Sequence, residues 1–143
     1  MPKQEIIYLN PAEARRLEAF KKRYREEARR VIEERVAFYH SLTGGRYTSI
    51  TIRDQRSRWG SCSSRGTLSF NYRLIFAPPD VLDYVVVHEL CHLTHMNHSR
   101  DFWNMVTSIM PDYKMRKKWL RDHGQELSPE AHMEKMGIPV KLD

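Results

Sequence analysis

The chain has 143 residues, of which 41% are hydrophobic and 29% charged, and its formal net charge is +6. This composition is typical of one globular domain and excludes a disordered or fibrous protein. No apolar run approaches the roughly 20 residues that cross a bilayer, and the N-terminal residues lack the apolar core of a secretory signal. We therefore expect a soluble, cytoplasmic protein with no membrane partner, and a single domain over residues 1–143.

A long amphipathic helix is predicted over residues 11–43, either unbroken or as two helices that meet near Arg35. Asn10 is a suitable N-cap, Glu13 can complete a capping box, and Gly44 is a stop signal. One face of this helix carries basic side chains interleaved with glutamates, namely Lys21, Lys22, Arg23, Arg25, Arg29 and Arg30. We interpret this face as solvated and rich in ion pairs, with a nucleic-acid patch as the alternative.

Residues 46–77 show the alternating pattern of β-strands. Strands are predicted around Ile50, at 58–62 and at 67–74, and the last two are joined by a turn-forming segment that makes them a hairpin. We expect all three strands to be antiparallel. Against one acid, Asp54, the segment carries six arginines, which are Arg46, Arg53, Arg56, Arg58, Arg65 and Arg73. This charge permits an acidic partner such as nucleic acid without demonstrating one.

Three helices are predicted after the sheet. The first spans about residues 79–96 and should be buried, because apolar residues cover most of its sides. Ser99 caps the second, and the third is a basic helix from Tyr113 that ends at Gly124. Residues 125–143 are weakly patterned, and we expect a short helix and a tail that could act as an inhibitory pseudo-substrate. The predicted domain thus has a helical part at 10–44, a sheet and metal site at 46–124, and the tail.

An H-E-x-x-H motif occupies residues 88–92, inside the predicted buried helix. His88 and His92 lie about one turn apart on the same helix face, so two imidazoles at this spacing can bind one metal ion. Glu89 lies at the edge of that face, where it can act on an attacking water without ligating the metal. Burial of such groups costs several kcal/mol unless they are paired or coordinated. The alternative is two hydrogen-bonded core histidines beside a buried Glu–Arg pair.

A catalytic zinc needs a third protein ligand, for which the candidates are His95, His98, His123, His132 and several C-terminal acids. Ligands at 88, 92 and 95 would span about 10 Å of a straight helix, which is too far for zinc–nitrogen bonds. We choose His98, since the chain can turn back after Asn97, and we expect one zinc ion. His95 is then exposed or supports another ligand. Surface positions are predicted for His40, His123 and His132.

Four runs of the chain resemble the YgjP-like predicted metallopeptidases, which are zincins related to the SprT-like and WLM proteases. These runs are Arg56–Ser63, Leu74–Pro79, Val86–Leu93, and Asn97–Ser99 followed by Phe102 and Trp103. The resemblance covers about residues 46–124. It implies a zincin-type α+β fold. Combined with the elements predicted above, this gives a long N-terminal helix, a small antiparallel sheet, the metal helix and C-terminal helices. It also implies a zinc held by His88, His92 and His98, with Glu89 as general base.

The sequence therefore predicts a zinc-dependent hydrolase, a metalloendopeptidase acting on a peptide or protein substrate. The alternatives are a nucleic-acid-associated module with a structural zinc, and a protease recruited to DNA. Candidate substrate-binding residues are Trp59, Gly60, Asn71, Arg73 and Tyr113. Glycine inside a strand often marks close approach of another group, so Gly60 could admit a peptide or simply pack with Trp59. Core or structural positions are predicted for Cys62, Cys91, Trp103 and Trp119.

Overall fold

The computed structural model describes residues 9–55 and 57–136. Arg56 and the tail residues 137–143, which carry part of the predictions above, lie outside the described residues. The helices are α1 (Pro11–Thr43), α2 (Pro79–Cys91), α3 (Arg100–Ile109), α4 (Tyr113–His123) and α5 (Pro129–Lys135). The strands are β1 (Ser49–Arg53), β2 (Gly60–Cys62) and β3 (Thr67–Asn71), and short 3-10 helices occur at Tyr72–Phe76 and Gly124–Glu126.

Helix α1 is one unbroken element of 33 residues, with no interruption near Arg35. At its start, the Asn10 side chain accepts a hydrogen bond from the Glu13 backbone N–H at 2.8 Å and donates one to Glu13 Oε1 at 2.7 Å. At its end, Gly44 adopts a φ of 66°, which favours glycine over other residues. A stripe at four-residue spacing is fully buried, and it consists of Ala28, Ile32 and Val36.

The charged face of α1 is rich in ion pairs, in agreement with the interpretation from the sequence. Arg29 pairs with Glu33 at 3.0 Å and Arg30 with Glu34 at 3.1 Å, both at i,i+4 spacing. The side chains of these residues are about half exposed or more, so each pair adds little stability. Their charge is neutralised locally, which weakens the case for a nucleic-acid patch on this face.

The three strands form one sheet in the order β1-β3-β2. Strands β2 and β3 are antiparallel, with Ser61 opposite Ser69, as the predicted hairpin requires. Strand β1, however, is parallel to β3, with Ile50 opposite Leu68, so the prediction of an entirely antiparallel sheet is wrong. The alternation of apolar residues in β1 is the same whether this strand is parallel or antiparallel to its neighbour, so it does not predict the direction. The chain passes through β2 first, and β3 then pairs between β1 and β2.

Strand β3 ends at Asn71, three residues earlier than predicted. The Asn71 side chain accepts a hydrogen bond from the Arg73 backbone N–H at 3.0 Å and so caps the 3-10 helix that follows. Leu68, Ser69 and Phe70 are all buried, because β3 is the central strand and is covered on both faces. The 3-10 helix at Tyr72–Phe76 is followed closely by Pro79, the first residue of α2.

Helix α2 is the central helix of the fold and packs against α1, β2, α3 and α4. It ends at Cys91 instead of about 96, because the backbone from His92 to Thr94 makes turns, in which the N–H groups of His92, Leu93 and Thr94 donate to carbonyls three residues earlier instead of four. Arg35 of α1 holds it through two hydrogen bonds to Asp83, at 2.8 and 2.9 Å. The described helices include none that is both long and apolar enough to cross a membrane.

The C-terminal segment as far as Met136 packs onto the fold and is not a free tail. Leu127 and Met133 are 4% and 3% exposed. The ring of His132 lies 5.2 Å from that of Tyr24 and 4.9 Å from that of Phe76, so this histidine is partly buried against two aromatic rings while it stays at the surface. Packing against α1 and the 3-10 helix at Tyr72–Phe76 orders α5, a contact that the weak pattern of this segment did not reveal.

Candidate metal centre

Three imidazole rings converge at the end of α2. His92 Nε2 lies 3.1 Å from His98 Nε2, which lies 3.2 Å from His88 Nε2. Four nitrogens around a tetrahedral zinc, at bonds near 2.0–2.1 Å, would be roughly 3.3 Å apart, so this donor set fits such an ion. Within residues 9–55 and 57–136, the three histidines are the group of metal-ligating side chains that converges in this way.

The shape of the chain after α2 explains why His98 reaches this cluster. Helix α2 stops at Cys91 and the turns over His92–His95 reverse the chain, so His98 returns to face the first two rings. Ser99 then caps α3 by accepting a hydrogen bond from the Phe102 N–H at 3.3 Å, which fixes the backbone next to His98. The structure thus brings together the three residues expected from the sequence and leaves the side chain of His95 outside the converging group.

Two hydrogen bonds orient the rings. The Nδ1 atom of His92 is 3.0 Å from the backbone carbonyl of His95, which can only accept, so Nδ1 carries the proton and Nε2 presents its lone pair to the cluster. The Nδ1 atom of His88 is 3.4 Å from the Tyr84 hydroxyl, which can either donate or accept and which orients this ring. Tyr84 precedes His88 by four residues on one helix, so i,i+4 spacing was a signal that could have identified this partner.

The cluster is electrically suited to a cation. Burial, together with the smaller effects of the charges on His92, His98 and Lys117, lowers the pKa of His88 to about 3. Burial also lowers the pKa of His92. Both rings are therefore neutral at pH 7, which is the form of histidine that ligates a metal.

Glu89 is buried beside the histidines, with 5% of its surface exposed. Burial raises the pKa of this carboxyl to about 8, and the positive charge of Arg58 opposes the rise. Its side chain lies against the backbone of Gly60 in β2, since a methyl group at that residue would be 2.8 Å from Glu89 Oε2. A buried carboxyl next to a metal-ligating cluster is the kind of group that can exchange a proton near pH 7.

Aromatic residues form one wall of the centre. The Trp103 ring lies 5.7 Å from that of His88 and 5.9 Å from that of His98, so Trp103 belongs to the site as well as to the core predicted for it. Tyr113 stacks on Trp103 at 5.1 Å, and the Lys117 ammonium lies 4.7 Å from the same ring system. Sequence analysis missed Lys117, although its spacing of four from Tyr113 places the two on one helix face.

The other candidate residues surround β2. Trp59 and Arg73 line a cavity of about 370 Å³ that is also bordered by Arg121. Arg73 Nε is 3.4 Å from the Asp54 carboxylate. Asn71 is 4% exposed and donates to the carbonyls of Gln55 and Arg58, so this amide holds the loop before β2. A role of these residues toward substrate stays a prediction.

The two cysteines are free thiols. Cys91 is fully buried in the core, as predicted, and burial raises its pKa to about 12. Cys62 is half-buried on β2, and the nearby charge of Glu89 adds to the burial effect that raises its thiol pKa. Neither thiol belongs to the group of converging metal-ligating atoms among the described residues.

An α+β fold in which three histidines converge beside a buried glutamate, at the end of α2, has the features expected of a metallopeptidase. The "YgjP-like, metallopeptidase domain" family matches residues 2–123, and the chain belongs to this family. No curated protein matches the sequence significantly. Among solved structures, the fold is similar to the metallopeptidase zymogen abylysin of Pyrococcus abyssi, with a TM-score of 0.57 and 21% identity over 66% of this chain and 93% of that one.

Proposed function

We propose that the protein is a zinc-dependent metalloendopeptidase in which His88, His92 and His98 hold one zinc ion and Glu89 is the general base. The observation that carries this proposal is the convergence of three Nε2 atoms, two pairs of them 3.1 and 3.2 Å apart, beside a buried carboxyl. Membership of a metallopeptidase family supports the same reaction class.

A zinc ion held by the three imidazoles supplies a Lewis acid that polarises the scissile carbonyl and lowers the pKa of water. Glu89 takes the proton from the attacking water and delivers it to the leaving amine. Its raised pKa suits this exchange, because a base with a pKa near the working pH can both accept and return a proton. Tyr84 and the His95 carbonyl keep the ring orientations that ligation needs.

The substrate is an extended peptide that pairs with β2. This strand lies at one end of the sheet order β1-β3-β2, and its first residue, Gly60, contacts Glu89. Main-chain hydrogen bonds to such an edge align a peptide without demanding a particular side chain. Trp59 and Arg73 line a cavity beside this strand, and Tyr113 stacks on Trp103 near the histidines; these are the side chains we propose to contact the substrate.

A structural zinc in a nucleic-acid module is the less favoured alternative. Structural zinc sites are closed by four protein ligands, whereas the converging group in the described part of the chain has three members. Recruitment of the protease to DNA rests on the basic composition alone and stays a prediction.

Glu89→Gln tests the proposal. This variant should retain one zinc per chain and its melting temperature, because the glutamate is not a ligand, and should lose hydrolysis of an unfolded protein substrate by at least about 100-fold. Zinc is measured by elemental analysis and hydrolysis by release of peptides, with wild type as the control. Loss of zinc in Glu89→Gln would show that this residue is a ligand, and unchanged hydrolysis would show that it is not the base.

A further inference from the structure

The backbone conformation of Gly60 does not explain why a glycine occupies this position. The glycines with positive φ in the described chain are Gly44, Gly45 and Gly66, so the backbone of Gly60 is one that other residues adopt readily. Gly60 lies in β2 opposite Phe70 of β3, where glycine normally weakens a strand. The requirement for glycine must therefore come from the space around its α-carbon.

That space is filled by the side chain of Glu89. A methyl group on Gly60 would lie 2.8 Å from Oε2, 2.9 Å from Cγ and 3.2 Å from Cδ of this glutamate. These are the three nearest atoms, and the first two distances are shorter than real Cβ contacts allow. The carboxyl and its last methylene thus rest directly on the strand, and Cys62, two residues along the same face, is also close enough to sense the Glu89 charge.

The residue before β2 is also held by a close contact. Trp59, the residue before Gly60, packs on Gly124 at the end of α4, where a methyl group would lie 2.8 Å from the indole Cζ2. Gly124 also has a backbone that other residues adopt, with φ of −56° and ψ of −32°. Two consecutive residues thus make separate close contacts at glycines: Trp59 packs on Gly124, and Gly60 packs on Glu89.

We infer that Gly60 is a positioning residue for Glu89: its bare α-carbon is the surface that sets the depth and direction of the carboxyl next to the histidine cluster. This inference rests on the proposed function, and it replaces the expectation that Gly60 makes room for the substrate. Any side chain at this position displaces the carboxyl, while the three histidines, which are not among the atoms nearest to Gly60, keep their arrangement.

The kinetic test is Gly60→Ala in the full chain. Displacement of a catalytic group by about 1 Å costs roughly 100-fold in rate, so kcat should fall by about that factor while KM changes only a few-fold. Elemental analysis should still find the wild-type zinc content. A rise in KM with kcat unchanged would overturn the inference, because it would mean that the glycine accommodates the substrate.

A double-mutant cycle with Glu89→Ala tests the contact independently of hydrolysis. In the wild-type background, Gly60→Ala should lower the melting temperature by about 5 °C, as expected for an overpacked site. In the Glu89→Ala background the three contacting atoms are gone, so the same substitution should lower it by about 1 °C or less. Equal decreases in both backgrounds would contradict the inference.

Gly124→Ala is the matched control, because it also introduces a methyl group 2.8 Å from a side chain, but that side chain is Trp59. Its effect on the melting temperature should be the same in the wild-type background and in the Glu89→Ala background. If Gly60→Ala alone does not fold, a folded Gly60→Ala/Glu89→Ala protein supports the contact and an unfolded one overturns it. Failure of wild type to hydrolyse peptides would refute the proposed function and leave the result of the cycle intact.

Discussion

The ring of His92 is held by a backbone carbonyl, so its orientation does not depend on the side chain of residue 95. The carbonyl of His95 accepts from His92 Nδ1 at 3.0 Å, in a turn that any residue except proline and glycine would form similarly. His98, in contrast, contributes its own ring nitrogen to the cluster. His95 thus orients the ring of His92 through its backbone carbonyl, whereas His98 brings its own side chain to the cluster.

His98→Ala should therefore weaken zinc binding by at least about 100-fold, whereas His95→Ala should change it by less than a few-fold. The physical reason is that the first variant removes a ligand atom and the second preserves the carbonyl that orients His92. Competition with a chromophoric chelator measures both affinities. The reverse order would mean that the third ligand is misassigned.

The convergence of His88, His92 and His98 could be predicted from the sequence because their spacing is local. His88 and His92 share a helix face, and the reach of one helix excludes His95. The contact of Glu89 with Gly60 could not be predicted, because the two residues are far apart along the chain and no periodic pattern indicates which strand packs against which helix. The contact of His132 with Tyr24 could not be predicted for the same reason.

Among the elements, helices were predicted better than strand pairing. Caps at Asn10 and Ser99 and apolar periodicity specify where helices begin and which side is buried. The direction of β1 relative to β3 is set by how the chain passes around β2, and alternation of side chains carries no information about it. The length of α2 was overestimated because His92–His95 retain helical composition although their backbone turns.

Helix α5 should contribute to stability through its buried methionine. Met133 is 3% exposed, so Met133→Ala should lower the free energy of unfolding by about 2–3 kcal/mol. Met136 follows the end of the helix and is 59% exposed, so Met136→Ala is a matched control that should change it by less than about 0.5 kcal/mol. Urea denaturation measures both. Equal, small effects would mean that α5 is only loosely attached, as the inhibitory-tail hypothesis requires.

At the scale of the whole molecule, the excess positive charge is not spread evenly. The α1 arginines Arg29 and Arg30 are paired with glutamates, whereas α4, next to the histidine cluster, has an exposed basic surface formed by Lys114, Lys117 and Lys118. Lys117 is near enough to His88 to affect its titration. The field at the centre is therefore positive on the α4 side, which attracts acidic segments of a substrate.

We expect kcat/KM for an acidic peptide to fall about 10-fold between about 20 and about 300 mM salt, since screening shortens the reach of the α4 charges. A neutral peptide of the same length should change less than two-fold. In Lys117→Gln the salt dependence for the acidic peptide should become shallower. Identical salt dependence for the two peptides would show that these charges do not guide the substrate.

The histidine cluster is built from one short stretch, residues 88–98, whereas the carboxyl beside it rests on a strand from another part of the chain. Closing a loop of about ten residues costs little entropy and takes well under a microsecond, so the ligands can meet early while the chain folds. Contact between Glu89 and Gly60 requires, in addition, that the sheet be packed against α2. The arrangement of the three rings is thus a local property of residues 88–98, whereas the position of the carboxyl depends on the fold as a whole.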